Sequence, residues 1–254
     1  MDLPINSFKR ALKAGQLQVG LWCSLSSHYC VEVVAGAGFD WLLLDTEHSP
    51  NDLESLLPQL QAAAAYPVTP VVRVPWNDTV TIKRVLDIGA QSLLIPYVQN
   101  AHEARVAVAA TRYPPVGMRG VAGGTRATRF GRIQDYAQRA HEELCVLVQV
   151  ETKQALEHIE AIAGVDGVDG LFIGPADLHA SLGYVGETAN AAVLPVIEDA
   201  VTRIRSAGKA AGILVSDEKL AKRYIEMGCL FTAVGTDVGI LAQGSEQLAA
   251  RFKG

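Results

Sequence analysis

Residues 41–48 read W-L-L-L-D-T-E-H, an apolar run that ends abruptly on two carboxylates and a histidine. A continuous apolar run, as opposed to an alternating one, predicts a strand that is buried on both faces, as in a parallel sheet. In a barrel built from such strands, the carboxyl end of each strand faces the active site. The change from apolar to titratable residues therefore predicts a strand that ends at a catalytic rim.

Seven further runs of this kind occur along the chain, and segments with helical spacing separate them. The eight predicted strands span residues 19–25, 41–45, 68–74, 92–96, 145–151, 170–174, 210–215 and 230–235. Helices are predicted most clearly at 51–65, 103–112 and 194–205, with Asn51 and Asp78 as N-caps where helices begin. Eight strand–helix units in 254 residues predict a single (β/α)₈ barrel domain over residues 1–254. A doubly wound open sheet is the alternative, but no G-x-G-x-x-G opens the first helix.

The composition argues against several classes of function. A chain that is 49% hydrophobic and 19% charged is typical of a folded globular protein. Its net charge of −5 argues against a nucleic-acid or anionic-membrane surface. No apolar run approaches the roughly 18 residues that a membrane span requires, and the amino terminus does not resemble a secretory signal. Cys23, Cys30, Cys145 and Cys229 form no C-x-x-C, which predicts reduced, packed thiols in a cytoplasmic protein.

Four predicted strands carry polar residues to the same rim. His48 follows the second strand, Arg73 lies in the third, Gln149 and Glu151 end the fifth, and Asp177 follows the sixth in G-P-A-D. Two carboxylates without a thiolate suit a hard divalent cation, so Glu151 and Asp177 are the candidate ligands of Mg²⁺, Mn²⁺ or Co²⁺. The alternatives are that each carboxylate caps a helix, or that Glu151 pairs with Arg73.

His48 and Arg73 are the candidate catalytic residues. The unperturbed pKa of a histidine, about 6.5, suits general acid–base catalysis near neutral pH. Arg73 offers a planar fork of donors for a carboxylate or for developing negative charge. The alternatives are a helix-entry histidine that bonds only nearby backbone and an arginine held in a structural salt bridge inside the barrel.

Two other segments have possible functions of their own. The long irregular segment 112–131 is a candidate lid, and its G-G-T-R-A-T-R stretch is either a phosphate-binding loop or, more simply, a mobile solvated loop. Lys153 follows Glu151 and is either a Schiff-base lysine or a solvent-exposed residue of the next helix.

These motifs resemble those of the HpcH/HpaI family of metal-dependent class II pyruvate aldolases. The matching segments cover nearly the whole chain in the family's order. They are F-D-W-L-L-L-D-T-E-H-S-P-N-D, P-V-V-R-V-P-W-N-D, L-L-I-P-Y-V-Q-N-A-H-E-A, R-Y-P-P-V-G-M-R-G-V, C-V-L-V-Q-V-E-T, V-D-G-L-F-I-G-P-A-D-L, G-K-A-A-G-I-L and F-T-A-V-G-T-D. Q-V-E-T together with I-G-P-A-D-L is the most specific pair. D-T-E-H departs from the D-G-E-H of many relatives, and the 112–131 segment also differs.

The resemblance implies roles for the residues at the rim. It implies that His48 transfers a proton, that Arg73 stabilises the transition state, and that Glu151 and Asp177 bind the metal. Asp177 would thereby also hold the chelated substrate.

Three further roles come from the resemblance alone. Gln149 and the backbone at Ala176 would contact the pyruvate-like substrate. Asp87 matches an aspartate that raises the basicity of the histidine. However, Asp87 lies late in the helix after the third strand, and that position should direct it toward the opposite end of the barrel.

The resemblance also implies an activity and an assembly. The fold would be a TIM barrel of the phosphoenolpyruvate/pyruvate type, and the reaction would be reversible cleavage of 4-hydroxy-2-oxo acids such as 4-hydroxy-2-oxoheptanedioate to pyruvate and an aldehyde. Hydroxypyruvate is a possible further donor, and no organic cofactor is implied. A hexamer is implied, with a carboxyl-terminal helix at about 244–253 docked on a neighbouring subunit. An acyl-CoA lyase of related barrel type and a non-catalytic 2-oxo acid binding protein are the alternatives.

Overall fold

The computed structural model describes residues 1–253 and closes eight parallel strands into a barrel in chain order. The strands are β1 Gln18–Cys23, β2 Trp41–Asp45, β3 Thr69–Arg73, β4 Ser92–Ile95, β5 Cys145–Val150, β6 Gly170–Ile173, β7 Ala210–Leu214 and β8 Cys229–Thr236. The helices are α1 Ser7–Lys13, α2 His28–Ala35, α3 Leu53–Ala63, α4 Thr79–Asp87, α5 Ala101–Thr111, α6 Tyr136–Glu143, α7 Lys153–Glu157, α8 Ile159–Ala163, α9 Pro175–Ser181, α10 Leu194–Ser206, α11 Glu218–Glu226 and α12 Asp237–Lys253. The (β/α)₈ prediction is confirmed, and all eight predicted strands overlap the observed ones.

Strand β2 shows why its sequence is apolar without alternation. All five of its residues are buried. Trp41 and Leu43 pack with the residues that fill the barrel interior. Leu42 and Leu44 pack in the larger layer between the strands and the surrounding helices. Because successive side chains of a strand point to opposite faces, a strand buried on both faces needs apolar residues at every position.

Helix α1 closes the amino-terminal end of the barrel. Phe8 is fully buried, and its ring centroid lies 5.7 Å from that of Trp41 and 6.1 Å from that of Phe231. Asn6 caps α1 by accepting a hydrogen bond from the backbone of Lys9. The helix therefore anchors its aromatic residue in the barrel interior at the end opposite to the predicted site.

The helix starts agree with the predictions at one position and differ at another. Asp78 caps α4, as predicted. The residue that caps α3 is Asp52, and its side chain accepts a hydrogen bond from the backbone of Ser55 in a capping box. Asn51 instead donates a hydrogen bond to the carbonyl of Asp45 at 2.7 Å. The predicted N-cap at Asn51 is therefore wrong, because its side chain fixes the end of β2.

The G-G-T-R-A-T-R stretch of the segment 112–131 lies at the amino-terminal end of the barrel. Arg126 lines a cavity of about 290 Å³ together with Thr69 and Gln91, which lie at the starts of β3 and β4. Its guanidinium also donates a hydrogen bond to the carbonyl of Ile88 at 2.8 Å. The prediction of a lid over the rim of the same chain is wrong, because α5 carries the chain back to the opposite end before this segment begins.

The last helix is longer than predicted. α12 begins at Asp237, whereas the expected carboxyl-terminal helix spans about 244–253. Its side chains include several exposed large apolar residues, which are Val238, Ile240, Leu241, Leu248 and Phe252. Within residues 1–253, none of the helices combines the length and the apolar character needed to cross a bilayer.

Candidate active site

The ends of β2 and β3 form one half of the site. Asp45 and Arg73 are paired neighbours in the register of these two strands. The Arg73 guanidinium donates from Nε to Asp45 Oδ1 at 2.9 Å and from Nη2 to Asp45 Oδ2 at 2.6 Å. Its Nη1 lies 2.8 Å from Glu47 Oε2. Two carboxylates therefore hold the planar guanidinium in a single orientation at the rim.

Trp22 fixes the same group from a third side. The guanidinium carbon of Arg73 lies 4.6 Å from the centroid of the Trp22 ring. The indole Nε1 donates a hydrogen bond to Asp45 Oδ2 at 3.1 Å. Burial acts to raise the pKa of Asp45, but the hydrogen bonds and charge of Arg73 outweigh it, so the pKa of Asp45 lies below its ordinary value. Asp45 is therefore an ionised, buried partner that keeps Arg73 in place.

Glu47 connects the two halves of the site. The pKa of Glu47 is raised to about 7, chiefly by burial; the charge of Arg73 opposes this rise, and the charges of Asp45 and Asp177 contribute to it. The sequence alone predicts no role for Asp45 or Glu47. The feature of the sequence that could have indicated a role is their position in D-T-E-H, at the end of a buried strand and at the same rim as Arg73.

His48 lies at the solvent edge of this cluster. Its side chain is 66% exposed, and its Nε2 lies 3.9 Å from Glu47 Oε1. Its backbone N–H points to Asp45 Oδ1 at 3.4 Å. Because only the backbone is held closely, the ring is accessible to a small molecule in the site. This geometry is compatible with proton transfer and with the alternative of a histidine that bonds only nearby backbone.

The other half of the site is built around Glu151. Tyr97 donates its backbone N–H to Glu151 Oε1 at 2.8 Å, and Gln149 donates its side-chain N–H to Oε2. Burial still raises the pKa of Glu151 to about 7, with smaller contributions from the charges of Asp177 and Glu47. The alternative in which Glu151 pairs with Arg73 is wrong.

The carboxylates fit a divalent cation. Glu151 is buried, Asp177 is exposed in the first turn of α9, and their negative charges act on each other. A Cβ at Gly174 would collide with the Glu151 carboxylate, so glycine is needed where α9 approaches β5. The side-chain oxygen of Gln149 is buried and has no hydrogen-bond partner. A cation bound by the carboxylates would offset their repulsion.

Only two carboxylates are proposed as ligands. Within residues 1–253, no three His, Cys, Asp or Glu side chains are grouped so that they could hold a metal ion. A hard cation such as Mg²⁺ ordinarily takes one or two carboxylates and fills its other positions with water or substrate oxygens. Ala176 is exposed beside Asp177, at the position where the resemblance implies substrate contact. Lys153 is exposed in the first turn of α7.

Asp87 lies apart from these residues within one chain. It is the last residue of α4, and its carboxylate accepts a hydrogen bond from Nη2 of Arg119 at 2.7 Å. Its carbonyl accepts a hydrogen bond from the backbone of Ala127 at 3.1 Å. Both partners belong to the 112–131 segment, and among residues 1–253 no ion pair joins Asp87 to His48. A role for Asp87 at the rim therefore stays a prediction.

Several known proteins are similar to this chain in sequence and in fold. The family model of HpcH/HpaI aldolase/citrate lyase matches residues 18–244. A pyruvate aldolase of Rhizobium etli is 60% identical over 252 residues, which are 99% of either chain. A 4-hydroxy-2-oxo-heptane-1,7-dioate aldolase of Shigella sonnei is 58% identical over 248 residues, covering 97% of this chain and 95% of that one. The crystal structure of an HpcH/HpaI aldolase/citrate lyase family protein from Burkholderia cenocepacia J2315 has a TM-score of 0.94 and 40% identity, and the match covers 98% of this chain and 100% of that one. The chain therefore belongs to the HpcH/HpaI aldolase/citrate lyase family and is a carbon–carbon lyase of the aldolase type.

Proposed function

We propose that this aldolase reversibly cleaves 4-hydroxy-2-oxo acids to pyruvate and an aldehyde with the help of Mg²⁺, Mn²⁺ or Co²⁺. The observation that carries the proposal is the rigid Arg73 guanidinium, held by Asp45 and Glu47 at the same rim as Glu151 and Asp177. A cation beside a fixed arginine fork suits a substrate that carries a carboxylate and a keto oxygen. The names of the relatives from R. etli and S. sonnei support this substrate class.

Glu151 and Asp177 would hold the cation. When bound, the ion would polarise the keto group of the 2-oxo acid and offset the negative charge that develops on its oxygen. The side-chain amide of Gln149 lies beside Glu151, where its nitrogen donates one N–H to the carboxylate and has a second N–H for a substrate oxygen, and the backbone at Ala176 lies beside Asp177. We assign both to the binding of the pyruvate part of the substrate.

Arg73 retains donors for the substrate. A guanidinium has five N–H donors; two of those of Arg73 bond Asp45, and Nη1 lies 2.8 Å from Glu47 Oε2. The N–H groups that do not bond Asp45 would bond the oxygens on which negative charge develops as the C3–C4 bond breaks. Because Trp22 and the two carboxylates already fix the group, its orientation needs little adjustment during the reaction.

His48 would move the proton. During cleavage it would take the proton of the C4 hydroxyl, directly or through a water molecule, and the electron pair of the C3–C4 bond would pass to the pyruvate fragment. During synthesis His48 would return the proton to the new hydroxyl. Asp87 would support the basicity of His48 only from another copy of the chain, because within one chain it pairs with Arg119.

A direct experiment tests the reaction. The purified protein would be mixed with pyruvate and a panel of aldehydes, succinic semialdehyde included, with Mn²⁺ or Mg²⁺ present, and the products would be separated by chromatography. Hydroxypyruvate would be offered in parallel as a second donor. New 4-hydroxy-2-oxo acids support the proposal. Saturable pyruvate binding without products would identify a 2-oxo acid binding protein. Cleavage of a thioester substrate would identify an acyl-CoA lyase. The aldolase names of the relatives favour neither alternative.

We further propose a homo-oligomer, a hexamer by the family resemblance, in which α12 docks on a neighbouring barrel. The support is its row of exposed apolar side chains, which would be costly to leave in water. We also propose a cytoplasmic location, which cell fractionation would test.

A further inference from the structure

His179 is a buried histidine that the proposed reaction does not use. It lies on α9 two residues after Asp177, and none of its surface is exposed to solvent. Residues two positions apart lie on nearly opposite sides of a helix, because each residue turns the chain by about 100°. Accordingly, Asp177 is exposed at the rim while His179 points into the protein.

Both ring nitrogens of His179 have partners. Nδ1 lies 2.6 Å from the carbonyl oxygen of Pro175, at the start of the same helix. Nε2 accepts a hydrogen bond from the backbone N–H of Asn190 at 3.2 Å. Since a carbonyl can only accept, the ring proton lies on Nδ1, and Nε2 is left as the acceptor that Asn190 requires. The ring therefore joins α9 to the segment 183–193 that follows it.

Asn190, the partner of His179, is itself hydrogen-bonded to the residues that lead into the next helix. Its side-chain oxygen accepts a hydrogen bond from the backbone of Ala192 at 2.8 Å. Its own carbonyl accepts from the backbone N–H groups of Val193 at 2.9 Å and Leu194 at 3.2 Å. Leu194 is the first residue of α10. The bond from His179 therefore connects the helix that carries Asp177 with the start of the next long helix.

The two connected parts form one wall of a cavity. Pro175 and Ala176 line it from α9, and Thr188 and Ala189 line it from the segment before Asn190, in a volume of about 300 Å³. Thr188 and Ala189 are exposed and directly precede Asn190, whose backbone N–H bonds His179. A shift of α9 against this segment would therefore move Asp177 relative to Glu151 on β5.

We propose that His179 is a positioning residue: its bond to Asn190 holds α9, and with it Asp177, in a fixed position relative to Glu151, and this fixed position supports binding of the divalent cation. The inference rests on the proposed metal role of Asp177. It goes beyond that role because it states that a buried hydrogen bond, on the opposite side of the helix from Asp177, affects the affinity of the site for metal. Two carboxylate ligands from different elements bind a cation well only if those elements are held together.

Two substitutions of His179 test whether the hydrogen bond to Asn190 is needed or whether any polar side chain at this position is sufficient. In His179→Gln, the side-chain oxygen reaches the position of Nε2 and can accept from Asn190. In His179→Asn, the shorter amide reaches only the position of Nδ1 and can donate only to Pro175. Each variant keeps one of the two bonds, so both lose a similar part of the local stability. Exposed His158, changed to Asn, is the matched control.

The measurements are the Kd for Mn²⁺ on metal-free protein by calorimetry, hydrogen exchange at the Asn190 amide, and kcat at saturating Mn²⁺. His179→Asn should weaken Mn²⁺ binding roughly 3- to 10-fold, the effect of one lost hydrogen bond, and should speed exchange at Asn190. Its kcat at saturating Mn²⁺ should stay within about twofold of wild type. His179→Gln and His158→Asn should bind Mn²⁺ like the wild type.

Two outcomes would overturn the inference, and an Asp177→Asn variant distinguishes them. If Asp177→Asn weakens Mn²⁺ binding while His179→Asn and His179→Gln share the wild-type Kd, His179 only stabilises the fold and the positioning role is wrong. If Asp177→Asn itself binds Mn²⁺ like the wild type, the proposed metal role of Asp177 fails and the inference fails with it.

Discussion

At the residue scale, the site depends on one guanidinium and its surroundings. Arg73 is 6% exposed, and it contacts Asp45, Glu47 and the Trp22 ring. An arginine paired so completely is also what a structural salt bridge inside a barrel would show. Its place at the carboxyl end of β3 favours a catalytic role, because that end of a (β/α)₈ barrel carries the active site. Substitutions at the rim separate the two roles.

Arg73→Lys should lower kcat/KM for cleavage by about 10²-fold or more, the usual effect of losing one preorganised donor of an oxyanion site. Lysine keeps the charge but has no planar fork, so it cannot bond Asp45 at two points and still address the substrate. Steady-state kinetics measure the effect, with Arg203→Lys as the control because Arg203 lies in an exposed pair with Glu160. Full activity of Arg73→Lys would show that only a diffuse positive potential is needed.

His48→Ala should lower kcat by about 10²- to 10⁴-fold, the range typical of a general acid–base group, and should change pyruvate binding little. The unfolding midpoint in urea should stay close to that of wild type, because the ring is 66% exposed. Kinetics and urea unfolding of the same preparation measure both effects. Near-normal turnover with lower stability would instead identify His48 as a structural residue.

A chelator should abolish activity, and added Mn²⁺, Co²⁺ or Mg²⁺ should restore it. Glu151→Gln should weaken metal binding because it removes one of only two proposed protein ligands. Lys153→Ala is the matched control and should stay active, because the side chain is exposed in α7. Turnover that resists chelation, with an adduct trapped on Lys153 by borohydride and pyruvate, would indicate a Schiff-base mechanism instead.

At the element scale, α1 shows that the two ends of the barrel differ in function: residues at the amino-terminal end stabilise the fold, and residues at the carboxyl-terminal end form the candidate site. Phe8 fills the amino-terminal end against Trp41 and Phe231, whereas the titratable cluster occupies the carboxyl-terminal end. Trp41 begins the same strand that Asp45 ends. One strand therefore contributes to stability at its first residue and to the site at its last.

Phe8→Ala should lower the free energy of unfolding by about 3–5 kcal/mol, as expected for a large aromatic side chain removed from a packed core. The kcat of the folded fraction should remain near wild type, because the substitution lies at the opposite end of the barrel from Arg73. Urea unfolding and kinetics measure these effects, with Phe130→Ala as the control because Phe130 is 65% exposed. A loss of kcat without a loss of stability would contradict this separation of tasks.

At the scale of the whole molecule, α12 is the helix with the largest number of exposed apolar side chains among the described residues. Leu248 is 51% exposed and Phe252 is 85% exposed. They are four positions apart and therefore lie on one face of the helix. Such a face is expected to be covered in an assembly, and another copy of the chain is the partner that the family resemblance implies.

Leu248→Asp combined with Phe252→Asp should shift the protein from an oligomer toward a monomer. Charged side chains on that face would have to be buried without partners if α12 docked on a neighbour. Sedimentation at micromolar concentration measures the mass, and Val185→Asp is the control because Val185 is also exposed but lies outside α12. A monomeric mass for the unsubstituted protein would remove the proposed assembly.

The order of the strands and the location of the candidate site could be predicted from the sequence alone. Burial on both faces leaves a local signature, a continuous apolar run, and W-L-L-L-D shows it within five residues. The polar residue that follows such a run is also local information. His48 and Glu151 follow such runs, Arg73 lies within one and Asp177 lies shortly after one, and their roles stay predictions. The roles of Gln149, Ala176 and Asp87 come only from the family resemblance.

Only the tertiary structure decided which residues face each other. Asp45 holds Arg73 because β2 and β3 pair in that register, and a register joins residues that are far apart in the chain. Arg126 lies at the amino-terminal end of the barrel because α5 reverses the direction of the chain before the 112–131 segment begins, and Asp87, the last residue of α4, pairs with Arg119 of that segment. The apolar pattern that predicts each strand reports its burial and carries no information about its neighbours, so side-chain partners and loop positions appear only when the barrel closes.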